Sequence, residues 1–161
     1  MQKSLKLRLA TPADSALISA HRHNMFLDND LAKVDVLARM DEAFEPWVHE
    51  RLSDSRYVGF LLEEDNVVVA GAGLLFCDFP PHWRHAEPAR AYVLNVYTEP
   101  AFRGQGLAKR LMGAVLDECR QRGVTIVTLH ASPQGRPMYE GLGFSQTDEM
   151  LLTLSAGSFR G

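Results

Sequence analysis

Leu5, Leu7 and Leu9 alternate with Lys6 and Arg8, a two-residue period that predicts a half-buried strand near the start of the chain. Thr11-Pro12-Ala13-Asp14 then supplies an N-cap, a first-turn proline and an acid that suits the helix dipole. From there Ala16, Leu17, Ile18 and Ala20 follow a helical period to about Phe26. A second helical stretch is expected from about Leu31 to Leu52, interrupted or restarted near Pro46. Its Val34, Leu37, Met40, Phe44, Trp47 and Val48 are interleaved with acids, as on a helix lying over a sheet. Strands are expected at Tyr57–Leu62 and Val67–Phe76, and the polar turn Glu64-Asp65-Asn66 joins them into a hairpin.

Residues 77–90, CDFPPHWRHAEPAR, are rich in proline and read as a loop that could face a substrate. A fourth strand runs from Ala91 to Thr98, and a third helix then carries Leu111, Val115 and Cys119 at inward spacing, with Gly123 as its stop. Val124–His130 is apolar and β-branched, as in a central strand, and Pro133–Leu142 is a short helix ended by Gly143. A last strand region opens at Phe144, with Met150–Leu154 as its antiparallel partner. The order is β-αα-βββ-α-β-α-ββ, without repeat or linker: one mixed α/β domain over 1–161.

Composition narrows the partners. The net charge of −3 lacks the basic footprint of a nucleic-acid binder. The N-terminal residues have no apolar core of a signal peptide, and no apolar run approaches the ~20 residues that span a bilayer. Cys77 and Cys119 show neither a pairing pattern nor metal spacing. The expectation is a cytoplasmic protein in a reducing compartment, with no nucleic acid, membrane or metal as partner.

The chemistry concentrates in NVYTEPAFRGQGLAKR, residues 95–110. Gly104 and Gly106 leave backbone amides uncovered at the start of a helix, where unpaired N–H groups and the dipole suit an anion. A ligand-free strand-to-helix turn would use the same glycines. A Walker loop fails because Gly106 is followed by Leu107-Ala108, not by lysine and a hydroxyl. A dinucleotide fingerprint fails because its third glycine is replaced by Lys109 and no acid follows the next strand.

Arg103-Gly104-Gln105-Gly106-Leu107-Ala108 instead resembles the (Gln/Arg)-x-x-Gly-x-(Gly/Ala) signature of the GNAT superfamily of acyl-CoA N-acyltransferases. Arg136-Pro137-Met138-Tyr139-Glu140-Gly141-Leu142-Gly143-Phe144 is similar to that family's second signature, a tyrosine four residues before Gly-Phe. The resemblance implies a mostly antiparallel central sheet of about seven strands, splayed between strands four and five and flanked by about four helices. It also implies transfer of an acetyl group from acetyl-CoA to a primary amine of a small molecule or protein, by direct attack through a tetrahedral intermediate. By the same resemblance Asn95, Val96, Tyr97 and Thr98 pair with the pantetheine arm, residues 103–108 (Arg103, Gly104, Gln105, Gly106, Leu107, Ala108) hold the pyrophosphate, and Tyr139 meets the leaving thiolate.

Neither Asn95 nor Tyr97 is a good base and Glu99 adjoins Pro100, so a water-relayed proton route is expected. Ser132 stands where the family often has asparagine. The acceptor is expected between the first two helices and the 77–90 loop, with Met25, Phe26 and Trp83 offering an apolar body and Asp28 a negative charge. His21 and His23, two apart on a helix, point in different directions and do not form a metal pair. Dimers are frequent in folds of this kind. Two other readings stay open on the sequence: a module that senses acyl-CoA without turnover, and an interaction domain that binds no CoA.

Overall fold

The computed structural model describes residues 4–155. Backbone proximity groups the chain into two compact units, residues 1–130 and 131–161. The first holds a five-stranded sheet in the order β1-β2-β3-β4-β5. Its strands are β1 Leu5–Leu9, β2 Tyr57–Glu64, β3 Val67–Asp78, β4 Ala89–Thr98 and β5 Val127–Leu129. The first four pair antiparallel, and β5 joins β4 in parallel. Three helices belong to this unit: α1 Ser15–Asp28, α2 Val34–Ser53 and α3 Leu107–Gln121.

β1 is an edge strand, and its burial does not follow the leucine alternation. Leu7 and Leu9 are 39% and 57% exposed, while Arg8 is half-buried. Charge decides the outcome. The Arg8 guanidinium forks onto both oxygens of Asp14 at 2.9 Å and reaches Glu63 at 2.5 Å. Asp14 also accepts the Thr11 N–H at 2.7 Å, closing the short turn Pro12–Asp14 that starts α1.

α2 runs unbroken through Pro46, where the sequence suggests an interruption. A proline inside a helix costs about 3 kcal/mol. Leu37, Phe44, Val48 and Leu52 form a buried stripe along α2, and each is worth roughly 1.5–3 kcal/mol, so packing outweighs the break. Three of them join Ile18 of α1 and Tyr57 of β2 in one apolar cluster, with Ala10, Trp47 and Leu94 at its margin. α3 buries Leu107, Leu111, Met112, Val115 and Cys119 on one stripe. Among the described residues, no helix is long and apolar enough to cross a membrane.

In the second unit, α4 spans Arg136–Gly141 and residues 142–155 form neither helix nor strand. The described residues therefore hold five strands, not about seven. Phe144-Ser145-Gln146-Thr147-Asp148-Glu149 is almost wholly polar and offers no alternating apolar face to a partner. Met150, Leu151, Leu152 and Leu154 are correspondingly exposed.

Candidate active site

β4 changes character at Asn95. Gly71 of β3 faces Tyr97 and Gly73 faces Leu94, so two β4 residues, Asn95 and Val96, stand opposite Ala72 alone. This is a β-bulge, and Asn95 takes a left-handed backbone at φ 56°, a conformation asparagine tolerates better than most residues. The bulge keeps one set of side chains aimed at α1 and α2. Leu94 packs on their cluster, Asn95 meets α1 through Arg22, and the Tyr97 ring lies 5.0 Å from that of His21.

The same bulge opens the sheet. β5 pairs with β4 only at Ala91, Tyr92 and Val93. Leu94–Thr98 have no ladder partner on that edge among the described residues, so the amides and carbonyls that face it are open to an extended ligand, except the Thr98 carbonyl, which accepts from Arg103. The expected set Asn95, Val96, Tyr97 and Thr98 falls on this open stretch.

Three side chains hold the bulge. Asn95 is 4% exposed, donates through Nδ2 to the Tyr57 hydroxyl at 3.0 Å and accepts at Oδ1 from Arg22 at 2.9 Å. Tyr57 reaches it by lying across Gly73, where a Cβ would fall 1.9 Å from the phenol oxygen. Its phenol is fully enclosed, which pushes the pKa up to about 12. Gly71 gives similar clearance to His21, whose Nδ1 would lie 3.1 Å from a Cβ there. Burial pushes the His21 imidazole down to about 4, so it is neutral at pH 7. The Glu99 carboxylate is 3.9 Å from His21 Nε2 and partly solvated, too distant to hold a proton on the ring.

Arg22, Tyr57 and His21 are the residues that sequence reasoning missed. Their signal was faint: an His-Arg pair inside an amphipathic helix and two glycines in β3. His23 turns away to Asp41 of α2 at 2.7 Å, as two residues two apart on a helix must.

Beyond β4, Pro100–Phe102 form a 3-10 turn and the chain enters α3 through Gly104 and Gly106, at φ 75° and 78°. A Cβ at either glycine would meet nothing within 4 Å, so backbone conformation and an open approach, not crowding, set the need for glycine. Arg110 N–H is bonded to the Gly106 carbonyl, whereas the preceding first-turn amides have no partner one turn back among the described residues. Gln105 is exposed, Leu107 is buried as the first core residue of α3, and Ala108 is half-buried. Of the three nearby cations, Arg110 donates to the Leu5 carbonyl and Arg103 to Thr98 O at 2.9 Å and Asp28 Oδ2 at 2.5 Å. Lys109 has no partner among the described residues. The free β4 edge and this amide-rich turn fit a pantetheine arm followed by a pyrophosphate.

On the acceptor side, Phe26 lies under the Arg22 guanidinium at 4.9 Å and Met25 is half-buried on α1. Asp28 is engaged by Arg103 rather than free. Trp83 is 82% exposed at the tip of a turn closed by paired bonds between His82 and His85, and its ring neighbours are His82 and Arg84. His85 ties that loop to Thr125, and Tyr92 bonds His130 at 2.6 Å.

In the second unit Ser132 organises the entry to α4, accepting the Gly135 N–H at its side chain and the Arg136 N–H at its carbonyl. Tyr139 is 9% exposed, its ring edge-on to Phe144 at 5.9 Å, and its hydroxyl has no hydrogen-bond partner among the described residues. Burial raises its pKa, so the phenol keeps its proton.

Residues 23–144 match the sequence model of the acetyltransferase (GNAT) family, about three-quarters of the chain. The chain belongs to the GNAT acetyltransferase family. A GCN5-related N-acetyltransferase from Ralstonia eutropha is 34% identical and superposes with a TM-score of 0.90, covering 94% of this chain and 99% of that one. A protein described as a predicted acetyltransferase from Clostridium acetobutylicum, solved with acetyl-CoA, is 30% identical with a TM-score of 0.86, covering 94% and 96%. The L-methionine sulfoximine/L-methionine sulfone acetyltransferase of Salmonella typhimurium is 27% identical over 91% of this GNAT chain and 83% of its own. The chain spans less than half the length of the first curated relatives it matches, 30% and 49%.

Proposed function

We propose that this GNAT protein transfers an acetyl group from acetyl-CoA to a primary amine. The observation that carries the reading is the bulge at Asn95, which frees Leu94–Thr98 just ahead of the Gly104/Gly106 turn. Bound there, acetyl-CoA supplies an activated acyl group. The β4 edge orients the pantetheine arm through backbone bonds, and an amide of the same edge donates to the acyl oxygen. Oxyanion donors of this kind are typically worth about 3–4 kcal/mol. The first-turn amides of α3 and Lys109 receive the pyrophosphate.

Tyr139, kept neutral by burial, donates a hydrogen bond to the departing thiolate. A free phenol is a weaker acid than a thiol, so solvation of the thiolate outweighs full proton transfer. Relatives named for acceptors as different as methionine sulfone and a ribosomal protein's alanine support an amine acceptor in general. A cytoplasmic homodimer is part of the proposal, and sedimentation velocity measures its assembly.

The test is release of free thiol from acetyl-CoA across an amine library. Turnover with at least one amine is expected, and Tyr139→Phe should cut kcat at least tenfold while acetyl-CoA still raises the melting temperature. Thiol release that Tyr139→Phe leaves intact would overturn the role of the phenol. Protection by acetyl-CoA with no turnover on any amine would overturn the reaction.

A further inference from the structure

Arg22 is a cation without a counter-ion among the described residues. Its guanidinium lies over the rings of Phe26 and Phe44, each centroid 4.9 Å from Cζ. Among the described residues its one acceptor is the neutral Oδ1 of Asn95. Nε is buried and unbonded, and no carboxylate lies within ion-pair distance among the described residues. The ionisable groups that act on Arg22 are the phenols of Tyr92 and Tyr57, and Tyr57 is pushed up to about 12, so neither supplies a negative charge at pH 7. Burial of this kind lowers the pKa of Arg22, yet a guanidinium stays charged. A half-buried charge whose Nε–H is sealed off without an acceptor destabilises a fold and calls for an explanation.

The position supplies one. Arg22 is bonded to the residue whose bulge opens β4, on the side of the sheet covered by α1 and α2, where the acceptor is expected. Resting on the proposed reaction, we infer that Arg22 binds a carboxylate carried by the acceptor amine, which makes an amino acid the substrate class. A planar guanidinium packed on two rings matches a planar carboxylate through two parallel N–H bonds. Among the described residues no second cation bonds or pairs with Asn95 or Arg22, as a dianionic phosphate would favour.

The test compares the standard amino acids with their α-carboxamides and with the matching decarboxylated amines, in the wild type, Arg22→Gln and Arg22→Lys. Charge-assisted bonds of this type correspond to roughly ten- to a hundred-fold in affinity. The wild type should favour the carboxylate member of its best pair by about that factor in kcat/KM, through KM. In Arg22→Gln the ratio should fall to within about threefold, and Arg22→Lys should retain part of it. Melting temperature in the presence of CoA provides a second readout, since the preferred amino acid should protect the wild type and not Arg22→Gln. Arg22→Gln sheds a half-buried charge but also gives up the bond to Asn95, so each ligand shift is measured against that variant's own melting temperature without ligand.

Equal rates with and without the carboxylate, or a preference that survives in Arg22→Gln, would overturn the subsite and leave the reaction standing. Selective use of phosphorylated amines would overturn it too. Absence of any turnover would overturn the reaction, and the melting shift would still decide the subsite.

Discussion

Asn95 shows how much one residue can hold. Its left-handed backbone, its bond to Tyr57 and its bond from Arg22 all serve one kink in β4. Asn95→Ala should lose both bonds and strain the backbone, costing about 2–4 kcal/mol by urea unfolding. Asn95→Gly should recover only the backbone share. His21 makes a pH prediction. Its imidazole titrates near 4 when folded and near 6.5 when unfolded, so the unfolded chain binds more protons between those values. Stability from keeping His21 neutral is complete above pH 6.5 and is lost as pH falls toward 4, by about 3 kcal/mol. His21→Gln should flatten that slope in urea titrations. Asp14, held below the usual carboxylate range by Arg8, loses its contribution only below that window. None of this was legible at residue level, because buried polar contacts between distant segments leave no periodic trace.

Elements were legible where a face repeats. α3 was readable from Leu111, Val115 and Cys119, and the amide-rich turn before it from Gly104 and Gly106. Gly106→Ala tests that turn. With φ at 78° and open space around the Cβ, the cost should be about 1 kcal/mol of stability, with a rise in KM for acetyl-CoA and a smaller change in kcat. Gly73→Ala should behave differently. Its methyl would collide with the Tyr57 hydroxyl, so melting temperature and activity should fall together. Elements misread from sequence were those decided by partners. β1 turned Arg8 inward to meet Asp14 and Glu63, α2 ran through Pro46 because its buried stripe continues, and the run at 150–154 found no strand to join.

At the scale of the molecule, the family and its mixed sheet were recognisable from two short signatures, while the acceptor face was not. Cofactor chemistry uses backbone and glycine, which repeat as motifs. Acceptor chemistry uses side chains from α1, α2 and β4 that only folding brings together. Binding to the folded state alone should stabilise it by about 2.7 kcal/mol at a hundredfold excess over Kd, so acetyl-CoA should raise the melting temperature by several degrees. Cys77 and Cys119 are both free thiols, and the melting temperature should be indifferent to reductant. The bulge has one more consequence. Leu94 and Asn95 share a face, so cutting Asn95 out would leave Leu94 and Tyr97 on the sides they now occupy. The cleft is in that sense a single inserted residue. A chain lacking Asn95 should still assemble its sheet, now with an unbroken β4, and should gain no thermal protection from acetyl-CoA.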